Sequence, residues 1–400
     1  MSPGAGIFRT TLPIGFTAGG VNSGVRRYRP DLGVIISEVP CVTTGVFTKN
    51  ACKAAPVKYC ESILPATNIK AIITNSGEAN AATGYTGTLN NYKMVDCLAH
   101  ALSCDPHQVL SASTGVIGRH LSIDKITDAI PALVNSVSTI AEKFAVSILT
   151  TDLVPKTIRK EVQLSSGKIN ITGIAKGSGM IHPNMATMLG YLLTDANLSV
   201  NESQAILKKI TDKSFNMISV DGDTSTNDGV FMMSNGMSGV SLLTDVDYKQ
   251  FSEAIEEIAI ILAKSIARDG EGATKLIEVT VSGVQNEILA KKLARSVTMS
   301  PLVKTAMYAG SPNWGRILAK IGAEDISESM INECEVSLQN IKLFSRGLPV
   351  ENVDLVELSG KLKDDTTYID IQFFKGIYSA TAWGCDMTEK YVTINAEYLS

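Results

Sequence analysis

A mixed α/β fold is what this sequence predicts, on three observations. Short β-branched apolar runs recur along the chain, and between them lie stretches whose apolar residues repeat at helical spacing. At 400 residues, 44% of them hydrophobic and 19% charged, the chain can bury a large core in one big domain or two. No low-complexity tract, internal repeat or linker-like segment interrupts that alternation.

In chain order, Val34-Ile35-Ile36 reads as a buried strand, and so does Ile69-Lys70-Ala71-Ile72-Ile73, which is expected to enter a turn at Thr74-Asn75-Ser76-Gly77. Thr88 to Leu102 places Met94, Val95, Leu98 and Leu102 on one helix face. The segment Val109–Gly118 reads as a strand entering a small-residue loop. A helix follows it, with Ile123, Ile126, Ile130 and Leu133 on its apolar side. Alternating Val162 and Leu164, the turn Ser165-Ser166-Gly167-Lys168, then Ile169 and Ile171 predict a hairpin. Ser199 and Glu202 make a capping box for a helix through Ile206, Leu207 and Ile210. Phe251, Ile255, Ile258, Leu262 and Ile266 form another amphipathic stripe. The remainder predicts a strand over Leu276–Val281, a helix near Glu287–Arg295, a strand over Tyr368–Phe374 and a final strand over Tyr391–Ser400.

Several function classes are disfavoured. A net charge of −4 gives no basic stripe to neutralise phosphates, so nucleic acid is not an expected partner. The start, Met1 to Gly6, has no charged region followed by an apolar core, and the longest apolar run, Ile258–Ala263, is too short to span a bilayer. Seven scattered cysteines without a CxxC fit reduced thiols, so the cytoplasm is the expected compartment. No metal ligand set is legible. The loop from Asp221 resembles a calcium loop, but its central glycine position holds Thr226 and its closing glutamate position holds Met232.

The chemistry gathers in Ala175–Leu193, a Gly-broken loop running into an apolar strand. Thr187 sits where the two meet, and Lys176, His182 and Asn184 are polar in apolar company. Two readings stand for Thr187 from its residues alone. One is a β-branched strand residue with a locally bonded hydroxyl. The other is a nucleophile, which needs a base; at a chain terminus the threonine's own α-amine, which ordinarily titrates near pH ~8, supplies one. Cleavage of the Ala186–Thr187 bond by that hydroxyl would create such a terminus. Among the other polar stretches, Thr114-Gly115 lies in a turn suited to hold an oxyanion or simply to turn the chain. Thr150-Thr151-Asp152 fits a substrate wall or an exposed turn, and Glu271 fits an ammonium ligand or a helix-end charge.

The string Lys176-Gly177-Ser178-Gly179-Met180-Ile181-His182-Pro183-Asn184-Met185-Ala186-Thr187-Met188-Leu189 resembles the self-cleavage signature of the ornithine acetyltransferase (glutamate N-acetyltransferase) family. Further matches are Thr114-Gly115, Thr150-Thr151-Asp152, Ser219–Asp228, Arg268–Lys275, Pro312-Asn313-Trp314-Gly315-Arg316 and the last residues of the chain. The resemblance implies two mixed sheets packed face to face and flanked by helices, a four-layer core, followed by a smaller C-terminal α/β domain over about 281–400. It implies self-cleavage into residues 1–186 and 187–400, and a heterotetramer of the paired fragments. The implied reaction moves acetyl from N2-acetylornithine to glutamate through acetyl-Thr187, with no metal or other cofactor and acetyl-CoA left open as a second donor. Thr114 and Gly115 would form the oxyanion hole. Thr150, Lys176, Thr187, Glu271, Asn395 and Ser400 would bind substrate, with Ser219–Asp228 as support around the site.

Glu78, Ala82, Ser311 and Ser400 depart from residues common in that family, which leaves substrate preference open. Two other readings remain: a hydrolase of the self-cleaving β-peptidyl aminopeptidase kind, and a catalytically silent amino-acid-binding protein.

Overall fold

The computed structural model describes residues 9–182 and 188–397. The first part of the chain supplies strands β1 (Phe16–Val21), β2 (Leu32–Phe47), β3 (Ala66–Glu78) and β4 (Val109–Val116), with helices α1 (Ala55–Ile63), α2 (Gly84–Ala101), α3 (Ile123–Asn135) and α4 (Glu142–Ser147). Next come β5 (Lys156–Leu164), β6 (Gly167–Lys176), β7 (Leu189–Thr194), α5 (Val200–Lys213), β8 (Ile218–Ser219), β9 (Gly229–Ser234) and α6 (Asp245–Arg268).

Eight of these strands form one hydrogen-bonded ladder in the order β4-β3-β2-β9-β7-β6-β5, with β1 also on β2. The ladder is not flat. Strands lie ~4.8 Å apart, so a flat sheet would put β3 and β7 roughly 14 Å from each other. Yet the hydroxyls of Thr74 on β3 and Tyr191 on β7 are hydrogen-bonded at 2.8 Å. The ladder therefore folds back on itself, and the bend lies in β2, whose register with β3 shifts between Ile36, Cys41 and Thr43, beside Pro40. Its two halves face each other. Between them sits a core of Ile72, Leu110, Tyr191, Leu193, Phe231 and Met233. Helices α2 and α3 cover one outer face, while α5 and α6 pack on the other, their Ile206, Ile210, Ile258 and Leu262 meeting Ile171, Leu192 and Met232. Two mixed sheets lie face to face between helices, as the resemblance implies.

A second, seven-stranded sheet follows, ordered β13-β12-β11-β14-β10-β15-β8. It contains β10 (Leu276–Val284), β11 (Glu335–Leu338), β12 (Ile341–Ser345), β13 (Leu348–Pro349), β14 (Thr366–Gln372) and β15 (Tyr378–Cys385), with β8 returning from the first part to pair with β15. Helices α7 (Glu287–Met299), α8 (Pro301–Tyr308), α9 (Trp314–Gly322), α10 (Glu328–Glu333) and α11 (Leu355–Lys361) accompany it, and α12 (Glu389–Glu397) ends the described chain. Among the described residues, no helix is long and apolar enough to cross a membrane.

Three sequence expectations are corrected. Thr74–Gly77 is not a turn: β3 continues to Glu78, because β4 pairs with it in parallel as far as Glu78 and Val116. Thr114 and Gly115 do not lie in a loop at a helix start but in the last residues of β4, and α3 begins only at Ile123. The final segment is helix rather than strand. Its β-branched residues favour a sheet only where an edge is available to pair. Here the segment forms α12, where the Thr393 hydroxyl also donates to the Glu389 carbonyl one turn back.

Candidate active site

A cavity of about 230 Å³ opens where β4 and β6 end and β7 begins. Thr114, Gly115, Thr150, Lys176, Glu271 and Asn395 all line it. Six residues singled out from five separate stretches of sequence thus meet in one place. Met188 and Leu189, which follow Thr187, also form its wall. Ala186, Thr187 and Ser400 lie outside the described residues.

Each contributor is brought there for a local reason. Gly115, next to last in β4, has φ +131°, and a Cβ there would come within 2.3 Å of the Gly77 carbonyl carbon on β3. Only glycine fits such an approach. Its neighbour Thr114 accepts a hydrogen bond from the Lys176 ammonium at 3.3 Å. Lys176 is the last residue of β6 and is buried, not solvated. Asp152 is fully enclosed below it. One carboxylate oxygen accepts from the Gly177 N–H at 2.6 Å and from Lys156 at 2.8 Å. The other accepts from the Thr150 N–H at 3.1 Å and lies 3.9 Å from Lys176. Burial alone would raise the Asp152 carboxyl, but Lys176, Lys156 and these bonds outweigh it and hold it well below the usual carboxylate range. The local Thr–Asp bond expected of a mere turn is therefore present, and Thr150 lines the cavity as well.

Opposite, Glu271 follows the C-terminus of α6 and is 8% exposed. Its carboxylate accepts from Asn395 Nδ2 at 2.8 Å. Gly179 makes room for it, since a Cβ at that residue would lie 2.3 Å from the carboxylate.

The loop after β6 is braced from behind. Met180, a non-glycine residue at φ +54°, and Ile181 both donate backbone N–H groups to Asp221, at 2.6 and 2.9 Å. Burial pushes the Asp221 carboxyl up, and those bonds work against it. His182 Nε2 accepts from Arg295 at 2.8 Å. A guanidinium only donates, so Nδ1 carries the imidazole proton and donates to Ser219 Oγ at 3.2 Å. Burial, then Arg295, lowers the His182 pKa to about 4, so the ring is neutral at pH 7.

The stretch Ser219–Asp228 does more than support. Ser225, Thr226, Asn227 and Asp228 line the cavity directly, and Asn227 Nδ2 donates to the Ser113 carbonyl at 2.9 Å. Sequence reasoning missed this contact, along with the buried Lys156–Asp269 pair and the bond from Arg295 to His182. Lys156 opens a mostly polar run, Lys-Thr-Ile-Arg-Lys, and nothing local signals that its ammonium is buried. Of the departures from the family pattern, Glu78 accepts from the N–H and hydroxyl of Ser122 at the start of α3. Neither it nor Ala82 or Ser311 is among the residues lining the cavity.

Known proteins resemble this chain over nearly its whole length. A protein named arginine biosynthesis bifunctional protein ArgJ, from Oceanobacillus iheyensis, is 42% identical over 391 residues, covering 97% of this chain and 95% of its own. A chloroplastic protein of that name from Sorghum bicolor is 44% identical over 402 residues, covering 97% and 86%. A crystal structure of the Bacillus halodurans protein of the same name is matched at a TM-score of 0.51 and 40% identity, over 53% of this chain and 100% of that one. The sequence pattern described as the ArgJ family covers residues 17–400. With the signature loop, the cavity and matches over almost its whole length, this chain belongs to the ArgJ family.

Proposed function

We propose that the protein is an arginine-biosynthesis acyltransferase that moves acetyl from N2-acetylornithine to glutamate through Thr187. The observation that carries the reading is the convergence of Thr114, Gly115, Thr150, Lys176, Glu271 and Asn395 on one cavity beside Met188. In the precursor, the Thr187 hydroxyl adds to the Ala186 carbonyl carbon, the peptide C–N bond breaks to give an ester, and water hydrolyses it. The freed Thr187 amine then takes the proton from the hydroxyl as it attacks the acetyl carbonyl. Thr114 and Gly115 hold the oxyanion, a donor there being worth ~3 kcal/mol. Ornithine leaves with the returned proton, and glutamate attacks the acetyl-threonine in the reverse sense.

The substrate's charges suit the walls. Glu271, steadied by Asn395, is placed to take an α- or side-chain ammonium, and Lys176 a carboxylate. Thr150 and Ser400 complete the proposed substrate contacts. No metal or organic cofactor is needed for this acyl transfer, and acetyl-CoA as a second donor is tested in the same assay.

Cleavage at Ala186–Thr187 would leave fragments 1–186 and 187–400 joined through one sheet, because β6 pairs with β7 from Ile171 and Thr194 to Lys176 and Leu189. A heterotetramer, a smaller C-terminal domain over about 281–400 and a cytoplasmic place of action belong to the same proposal.

A denaturing mass spectrum tests it first. Two fragments summing to the chain plus one water are expected, with +42 Da on the Thr187 fragment after N2-acetylornithine (~42 Da being one acetyl in place of hydrogen). Thr187→Ala should remain a single chain. An intact wild type overturns the reading. Acetate release without acetylglutamate would make the protein a hydrolase instead.

A further inference from the structure

Behind the cavity lies a buried set of charges that no step above uses. Asp152 and Lys156 have side chains 0% and 1% exposed, and Lys156 bridges Asp152 at 2.8 Å to Asp269 at 2.6 Å. Burying two carboxylates and an ammonium is costly unless each finds partners, and replacing such groups by apolar ones is commonly neutral or stabilising. Their presence beside Lys176 therefore asks for a role other than stability.

The polarity of one hydrogen bond supplies it. Lys176 Nζ and Thr114 Oγ1 are 3.3 Å apart, and an ammonium has protons but no lone pair, so lysine donates and threonine accepts. The Thr114 hydroxyl proton is then directed away from Lys176. Among the described residues it has no second hydrogen-bond partner, and Thr114 borders the cavity. A neutral amine would behave in the opposite way: it could accept that proton and turn the hydroxyl's lone pairs toward the substrate. Asp152 is the carboxylate that faces the ammonium, at 3.9 Å. Its other oxygen is fixed by Lys156 and the Gly177 N–H, so it cannot swing away. Lys156 is in turn held by Asp269, which precedes Glu271 at the end of α6 and also accepts from the Leu153 N–H at 3.1 Å. Ser178 completes the frame, donating its hydroxyl to the Asp269 carbonyl at 2.7 Å and accepting the Glu271 N–H at its own carbonyl at 3.1 Å.

We propose that Asp152 is a positioning residue, which through Lys176 orients the Thr114 hydroxyl so that its proton points at the developing oxyanion. The inference rests on the acyl-transfer reading. It assigns Asp152, Lys156 and Asp269 to the geometry of the oxyanion hole rather than to substrate contact. Because the oxyanion exists only in the transition state, the effect belongs in kcat and not in KM.

Asp152→Asn keeps the shape and removes the charge. On the self-cleaved protein it should lower kcat for acetyl transfer roughly tenfold, a fraction of what a whole oxyanion donor supplies, with a smaller change in KM, since Lys176 is also the proposed partner of the substrate carboxylate. The deciding measurement is a double-mutant cycle with Thr114→Ala. If Asp152 acts through that hydroxyl, D152N should cost less than about twofold in the T114A background. An undiminished penalty there, a loss confined to KM, or full activity of D152N would each overturn the proposal. Should D152N yield no folded protein, Asp269→Asn loosens Lys156 instead. A smaller kcat loss, about threefold and again absent in T114A, is then expected, and a penalty that persists in T114A overturns it. A wild type that releases no ornithine from N2-acetylornithine fails at an earlier point and overturns the acyl-transfer reading itself.

Discussion

Gly115 and Gly179 border the same cavity, yet a methyl group at each should have different consequences. At Gly115 the added Cβ would meet backbone on the paired strand, 2.3 Å from Gly77 C and 2.6 Å from Glu78 N, at a φ that L-residues avoid. Strain and overlap together make Gly115→Ala destabilising by about 3 kcal/mol or more, visible as a fall in the melting temperature. At Gly179 the obstacle is the Glu271 carboxylate, a side chain that can move. Gly179→Ala should leave the melting temperature nearly unchanged and raise KM about tenfold or more by displacing Glu271 from Asn395. His182 sets a pH dependence. Its folded pKa of about 4 lies below the unfolded value of 6.5, so between the two the unfolded chain binds the extra proton. Stability should be full above pH 6.5 and decline as pH falls toward 4. A plot of melting temperature against pH should show that slope in the wild type and a flatter one in His182→Gln.

At the level of elements, the outer face of the cavity-bearing sheet depends on α6 lying close to β6. Gly173 on β6 permits it: a Cβ there would come 2.6 Å from Ile258 and 2.7 Å from Leu262. Gly173→Ala should push the helix outward and cost about 1–3 kcal/mol, read from the urea midpoint at constant slope. Because Asp269 and Glu271 hang from the end of α6, the same variant should also lose activity beyond what its fraction unfolded explains. The amphipathic stripe from Phe251 to Ile266 made this helix legible, and the Ser199–Glu202 capping box did so for α5, where both reciprocal bonds are present. Such elements are written locally, in spacing and caps. The terminal helix was not legible, because Tyr391-Val392-Thr393-Ile394 is β-prone in isolation and nothing local shows that the segment pairs with no strand.

For the whole molecule, the path of the chain matters more than any one element. Helix α12 has no buried residue, yet it carries Asn395 to Glu271. Truncation after Thr388 should therefore leave the melting temperature close to that of the full chain and leave the proposed self-cleavage intact, while KM rises. Loss of self-cleavage in that variant would place the terminus in the processing step instead. The bend in β2 has a comparable reach, since it brings β3 over β7 and thereby sets Thr114 and Gly115 across from Lys176 and Met188.

Sequence by itself determined the α/β alternation and most helices and strands, because periodicity and caps are local properties of the chain. It also marked Thr114, Gly115, Thr150, Lys176, Glu271 and Asn395, which the fold gathers around one cavity. Only the tertiary structure decided that the eight-stranded ladder doubles over, that Lys156 is buried between Asp152 and Asp269, and that the chain ends as a helix. The physical reason is the same in each case. Burial, charge pairing and strand pairing depend on partners far away in sequence, and a residue's own neighbours do not reveal which side of it will meet water.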